Sequence, residues 1–305
     1  MQVKILGSAA GGGFPQWNCA CLNCHAVRGG QFQGKARSQT QLAVSADGAS
    51  WFLLGASPDL RSQIESSPEL QPRSGTRSSP IRGVVLASAD LDHVLGLLLM
   101  RELQPFRVHA AESVIKILRN ENSMFGMLNR VADQAAWQTV AVGRPFTLTS
   151  FPGNGSTIGC DAVAVSAHYP AYALQVQESQ DAVLGLILTA PSGARLGFFP
   201  QLAQLTPELK RVFATLDCLL LDGTFWSDDE LIRLQGSGQS ARVMGHIPVG
   251  GEGGTLQQLA GLSTPRKMYI HINNTNPMLN EAGAEYRAVR DAGWELAEDG
   301  CHFTL

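Results

Sequence analysis

Apolar and polar positions alternate along this chain in short blocks, and the blocks predict strands and helices in turn. MQVKILG reads as a short strand running into a Gly-rich loop, SAAGGG. TQLAVSADGASWFLL is two apolar runs parted by a turn cluster at Asp47-Gly48, the pattern of a hairpin. Residues 61–80, rich in Ser, Pro and Arg, predict a short helix and then a surface loop. IRGVVLASAD is a buried strand followed by an apolar helix in DHVLGLLLMREL. FRVHAA is a strand that leads to helical ESVIKILRN and ENSMFGMLNRV.

The second half repeats the alternation. IGCDAVAVSA, AVLGLILTA and ARLGFFP predict three successive strands, and PELKRVFATL a helix. DCLLLDG is a buried strand, and SDDELIRL opens on a capping box, Ser227 with Glu230 three residues later. A Gly-rich turn follows RVMGHIP, then a helix around TLQQLAGL, a strand in KMYIHINN and a last helix in EAGAEYRAVRDAG. Strand-rich runs with helices between them, twice over, predict an α/β layered fold of two sheets with outer helices. At about 150 residues per domain a chain of 305 allows two domains, although one large α/β or all-β domain of this size is common.

Composition narrows the functional classes. Of 305 residues 44% are apolar and only 16% charged, which argues against disorder and for a chain able to bury a large core. The net charge is −3, with no block of Lys or Arg. Neither a nucleic-acid groove nor a membrane surface is indicated. The longest apolar stretches, such as VLGLLLM, are too short to span a bilayer, and the N-terminus lacks the apolar core of a secretory signal. A soluble cytoplasmic protein is the expectation. In that compartment six cysteines are metal ligands, catalytic groups or core residues sooner than disulfides.

Two clusters carry chemistry. Cys19, Cys21 and Cys24, spaced C-x-C-x2-C with His25 adjacent, can close around a tetrahedral Zn²⁺. Three thiolates leave the ion little Lewis acidity, so a structural zinc is expected, with His25 the local choice for a fourth ligand. The second cluster is Ser88-Ala89-Asp90-Leu91-Asp92-His93, at the end of a strand and the start of a helix. Alone, an Asp-His pair is a helix cap plus a surface His. Here His168, Asp222 and His271 also accompany strongly apolar strands, which can deliver them to one sheet edge.

An Asp-His after a strand, a lone His, an Asp in LLLDGT and a late His together resemble the metallo-β-lactamase superfamily, whose signature is H-x-H-x-D-H. LGSAAGGGFPQWNCACLNC, SADLDHVLGL, LLLDGTFW, MGHIPVGGEGG and IHINNTNP are similar to the branch of it that serves pyrroloquinoline quinone (PQQ) biosynthesis. The resemblance covers essentially the whole chain and implies one domain over residues 1–305, an αββα sandwich of two mixed sheets flanked by helices, with metals at one edge, a Cys-rich zinc loop at about 11–30 and a helical insertion at about 104–150. The superfamily's two leading histidines fall on Ser88 and Asp90, which implies a crippled first metal site beside His168. The second keeps Asp92, His93 and His271, with Asp222 a fourth or bridging ligand. Two imidazoles and one carboxylate is the facial set of non-heme Fe(II) oxygenases. Relatives with the same Cys loop place a zinc-binding His where this chain has Asn274, so Asn274, His25 or water completes the zinc.

The function implied is Fe(II)- and O2-dependent hydroxylation of the tyrosine ring in a small Glu–Tyr-derived PQQ precursor. A carrier of PQQ or its precursor, acting in transport or export, and a mononuclear zinc hydrolase are the competing readings. Ser88, Asp90 and His168 would then be supporting groups, substrate contacts or remnants. The partners implied are the peptide-derived precursor, PQQ and other proteins of that pathway; a homodimer is left open. Met244–Thr255 offers a Gly-rich loop in which Gly250, Gly251 and Gly253 can cradle a carboxylate, with His246 as hydrogen-bond partner or proton shuttle. His109 and His302 read as satisfied structural histidines. Cys160, Cys218 and Cys301 read as buried hydrophobes, and Trp17, Trp51 and Trp226 as core.

Overall fold

In a computed structural model, which describes residues 1–150, 153, 155–173, 181–236 and 238–305, the apolar runs of the sequence become strands. The single domain expected over 1–305 resolves into two units. Met1–Gly7, Gln41–Arg195 and Gly300–Leu305 form one, Ser8–Thr40 and Leu196–Asp299 the other. Elements are numbered in chain order.

In the first unit, β1 (Gln2–Gly7), β2 (Gln41–Ser45), β3 (Trp51–Leu54), β4 (Ile81–Val85), β5 (Phe106–Ala111), β6 (Ala135–Val140) and β14 (His302–Thr304) form a sheet of order β14-β1-β2-β3-β4-β5-β6. Pairing is antiparallel from β14 to β3 and parallel from β3 to β6. Strands β2 and β3 are buried at every position, as strands covered on both faces must be. The turn between them closes as Asp47 Oδ1 accepts from the backbone N–H groups of Ala49 and Ser50, both at 2.8 Å, while Gly48 takes φ +70°. Strands β7 (Phe146–Thr149), β8 (Gly155–Ser166) and β9 (Val183–Thr189) pair antiparallel. Helices α2 (Leu60–Glu65), α3 (Leu91–Val94) and α4 (Glu112–Asn120) lie between strands in the chain.

The second unit holds α1 (Leu22–Arg28), β10 (Arg195–Phe199), α5 (Pro207–Phe213), β11 (Cys218–Asp222), α6 (Glu230–Gln235), α7 (Thr255–Gln258), β12 (Arg266–Ile270), α8 (Ala284–Asp291) and β13 (Glu295–Leu296). Its strands pair in parallel, β10 to β11 to β12 to β13. The architecture is therefore the predicted one, two mixed sheets with helices alternating along the chain. Among the described residues no helix is long and apolar enough to cross a membrane.

Several boundaries differ from the sequence reading. Residues 104–150 are not a helical insertion, because β5, β6 and β7 lie there beside α4 and a 3-10 turn at Ser123–Asn129. DHVLGLLLMREL forms only the four-residue α3 and a 3-10 stretch, Leu95–Met100. There Gly96 packs so tightly that a Cβ would sit 2.3 Å from the Ser57 carbonyl oxygen. The helix of SDDELIRL starts at Glu230, after Asp229, and the capping box is only half made, the Ser227 N–H bonding the Glu230 carboxyl while Ser227 Oγ accepts from Arg233. Glu230 is buried and also accepts from the Trp226 N–H at 2.7 Å. Burial raises the Glu230 pKa above the ordinary carboxylate range, against the hydrogen bonds from Thr275 and the Trp226 and Ser227 backbone.

Candidate metal centres

In the second unit the Cys loop enters α1, and Cys19, Cys21 and Cys24 present their sulfurs to one point, all within 4.8 Å of one another. The segment after β12 brings Asn274 to that point. Its Nδ2 lies 3.1 Å from Cys19 Sγ, 3.6 Å from Cys21 Sγ and 3.3 Å from Cys24 Sγ. Zinc bonds of about 2.3 Å to sulfur and about 2.0 Å to oxygen span tetrahedral edges of about 3.5 Å, so the four side chains already have the size of a zinc cage. The amide oxygen, a zinc-type donor, exchanges with Nδ2 by a half-turn of the amide. Asn23 Nδ2 fixes this approach by donating to the carbonyls of Asn274 at 3.1 Å and Asn276 at 3.0 Å. His25 lies exposed on α1, outside the group.

The thiols feel one another. Burial pushes Cys21 up to about 11, and the neighbouring sulfurs add to the rise. Burial also opposes ionisation of Cys19, yet hydrogen bonds from the Cys21 backbone, the other two cysteines and Asn274 leave its pKa below the ordinary thiol value. Three sulfurs this close ionise together only around a cation, and the donor set fits zinc.

The ends of β11 and β12 carry the second group. Asp222 pairs in register with Ile270, so Asp222 and the residue after Ile270, His271, emerge side by side at the carboxyl ends of parallel strands. His271 has φ +59°, a left-handed backbone unusual outside glycine and a mark of functional sites. The sequence reading placed His271 within a strand; the strand ends one residue earlier. Asp222 is fully buried. Its Oδ1 accepts from the Thr224 N–H at 3.0 Å and the Thr224 hydroxyl at 2.7 Å, and its Oδ2 accepts from the Leu202 N–H at 2.9 Å. His246 Nδ1 lies 2.8 Å from the same Oδ2. These four neighbours match the roughly four lone-pair directions of a carboxylate, so the residue expected to bridge metals is engaged with protein donors. The His246 and His271 rings stack, centroids 5.6 Å apart and 18° between planes. Asp222, His246 and His271 also offer ligand-type atoms within 4.8 Å of one another, all buried.

The first unit holds the SADLDH motif. Ser88 and His93 are buried where β4 runs into α3, and Asp90 and Asp92 are half-buried. Ser88 Oγ lies 2.8 Å from Asp90 Oδ2 and 2.9 Å from His93 Nδ1, and it accepts from the Asp90 N–H at 3.2 Å. His93 and Asp92 approach at 4.0 Å. His168 is exposed just beyond β8, its own N–H bonded to Ser166 Oγ at 3.1 Å. Among the described residues it belongs to no group of metal-type donors.

A family description, Beta-lactamase superfamily domain, matches residues 50–272. The coenzyme PQQ synthesis protein B of Methylobacterium sp. (strain 4-46) is 40% identical over 305 residues, covering all of both chains. The chain belongs to the coenzyme PQQ synthesis protein B family, within the β-lactamase superfamily. The solved structure of Zn(2+)-bound PqqB from Methylobacterium extorquens matches with TM-score 0.91 and 39% identity over the whole of both chains. A diphosphatase of the PhnP family shares the fold at TM-score 0.69 and 17% identity, covering all of this chain and 97% of its own.

Within this family member the Gly-rich loop is built differently from a ligand cradle. The Gly250 N–H donates to the Trp226 carbonyl at 2.9 Å, the Gly253 N–H to Gln257 Oε1 at 2.7 Å, and the Gly254 N–H to the Gly251 carbonyl at 3.2 Å. A Cβ on Gly250 would lie 2.5 Å from the Trp226 ring, and Gly251 and Gly253 take φ +76° and +68°. Close packing and turn geometry thus account for these glycines. Trp17, expected in the core, is 85% exposed, while Trp51 is buried. The residue that sequence reasoning passed over is Thr224, which touches both Asp222 and His271. Its position two residues after the Asp in LLLDGT was the available signal.

Proposed function

We propose that the protein acts in PQQ biosynthesis as an Fe(II)- and O2-dependent hydroxylase of the tyrosine ring in a Glu–Tyr-derived precursor. Asp92, His93 and His271 are the iron ligands in this reading, and Cys19, Cys21, Cys24 and Asn274 hold a structural zinc. The names of the full-length relatives support the pathway. One observation carries the chemistry. Ser88 and Asp90, where the superfamily signature has imidazoles, are turned to each other, and Ser88 also faces His93 Nδ1. Neither supplies a strong ligand for a second metal, so the two-metal clamp of a dinuclear hydrolase loses its support, while a two-His, one-carboxylate set for one metal remains.

Bound there, Fe(II) supplies the activation of O2; the protein supplies position and protons. His246, its Nδ1 against Asp222, presents the opposite ring nitrogen for proton transfer. Asp222 itself serves by orienting its neighbours.

The test is anaerobic loading with Fe(II), then O2 uptake with a tyrosine-containing precursor. Substrate-dependent uptake with a product heavier by one oxygen atom is expected. Tight binding of PQQ with no iron uptake would replace this reading by a carrier. Cleavage of the precursor by the zinc-loaded protein without O2 would replace it by a hydrolase.

A further inference from the structure

A hydroxyl has one proton to give and two lone pairs with which to accept, whereas a carboxylate or a carbonyl only accepts. Ser88 Oγ receives the Asp90 N–H and faces Asp90 Oδ2 at 2.8 Å, so its proton belongs to that carboxylate. The third neighbour, His93 Nδ1 at 2.9 Å, must then be the donor. Thr224 repeats the logic in the other unit. Its Oγ1 faces two obligate acceptors, Asp222 Oδ1 at 2.7 Å and the His271 carbonyl at 2.9 Å. Giving the proton to His271 Nδ1, 2.8 Å away, would leave two oxygens facing the hydroxyl lone pairs. The ring has to donate here too.

We propose that Ser88 and Thr224 are positioning residues that hold His93 and His271 in the Nδ1–H tautomer, so that each ring carries its metal-binding lone pair on Nε2. The tautomer follows from the hydrogen bonds alone, while its use for metal binding rests on the ligand set of the proposed function. Each hydroxyl is backed by a carboxylate, Asp90 or Asp222, which makes it a better acceptor for the imidazole N–H. Ser88 and Asp90 thereby gain a task at positions where the superfamily signature has ligands. They orient the histidine that is kept. Thr224 does the same for His271 while its backbone N–H donates to Asp222. A ring free to exchange tautomers would offer a proton to the metal part of the time, and partners that prevent this typically account for about 10–100-fold in affinity.

Two measurements on the whole protein test the proposal. The first is multiple-bond 1H–15N NMR of histidine-labelled, metal-free protein at about pH 8, above the ordinary imidazole pKa of about 6.5. His93 and His271 are expected as Nδ1–H. Ser88→Ala should release only His93 and Thr224→Val only His271, while Ser88→Thr and Thr224→Ser keep the wild-type pattern. The second is Co(II) affinity by competition with a chelating dye, which should fall about 10–100-fold in Ser88→Ala and Thr224→Val and recover in the hydroxyl-retaining variants. Nε2–H rings in the wild-type spectrum, or unchanged tautomers in the Ala and Val variants, overturn the proposal. The wild-type spectrum decides even where a variant does not fold. Released tautomers with unchanged Co(II) affinity overturn the metal half and leave the ligand set of the proposed function standing, whereas Co(II) affinity unchanged in His93→Ala and His271→Ala would overturn that ligand set.

Discussion

Acid should weaken the first unit through a single ring. His109 sits on β5 with no exposed surface, stacked on Phe146 at 5.4 Å and 27°, and among the described residues its ring finds no well-formed hydrogen bond, only a weak one to the Thr149 backbone. Burial lowers its pKa from 6.5 to about 4, the Thr149 backbone pulling weakly the other way and Arg107 adding to the fall. The native state therefore takes up this proton near pH 4, and the unfolded chain near 6.5. The stability associated with the neutral ring is full above pH 6.5 and is lost as pH falls towards 4. About 2 kcal/mol is gone by about pH 5 and about 3 kcal/mol at full protonation, which is a large part of a typical folding free energy. His109→Leu removes the titration at similar volume. Urea unfolding of both proteins at about pH 7.5 and about pH 5 should show the difference between them shifting by about 2 kcal/mol in favour of the variant. The other titrating groups are common to both and cancel. Parallel losses in the two proteins would refute the reasoning, as would an NMR titration showing the native ring charged at pH 5.5 to 6.

Cys24→Ser should cost one equivalent of bound zinc by elemental analysis and lower the melting temperature; undiminished zinc would sink the assignment of the cage. Asn274→His, a stronger ligand at the same place, should slow zinc loss to a chelator, and Asn274→Ala should speed it. Gly250→Ala drives a methyl into the Trp226 ring and should destabilise by about 1–3 kcal/mol in urea unfolding. An unchanged midpoint would show that the loop relaxes freely. Glu230 has a raised pKa, so its contribution is complete at acid pH and is lost as pH rises through the folded value. Any stability deficit of Glu230→Gln should accordingly shrink between about pH 4.5 and about pH 7, and a deficit that grows would reverse the sign argued here.

What could be read from the chain was what neighbours in sequence decide. Leucine- and valine-rich runs such as CLLLD are buried on both faces and leave little choice but a strand, and C-x-C-x2-C gathers three sulfur ligands within six residues. Most of the misreadings turn on partners far along the chain. ENSMFGMLNRV has helical spacing yet tightens to a 3-10 turn, and Glu230 looks like a capping residue until Thr275, 45 residues on, draws it inside. The glycines after His246 suggest backbone N–H groups aimed at an anion, because nothing local reveals that Trp226 is packed against Gly250. His109 reads as a satisfied histidine for the same reason: the Phe146 ring and Thr149 backbone that leave it only weakly bonded are on another strand.

The candidate site divides along the same line. Ligand-type residues announce themselves by type, so Asp92, His93, Asp222 and His271 could be named as candidates from the chain alone. Their orientation was not, because it depends on a threonine 47 residues from its histidine, brought there by the parallel register of β11 and β12. This also changes what Ser88 and Asp90 mean. Read as letters in a signature, they are two missing imidazoles, and loss of function is the natural inference. Read as a hydroxyl with one proton and a carboxylate that only accepts, they form the same relay that Thr224 and Asp222 form in the other unit. Mere loss of ligands would leave no reason for both histidines to be supported alike. That repetition is the ground for proposing two retained metal ligands over two abandoned ones.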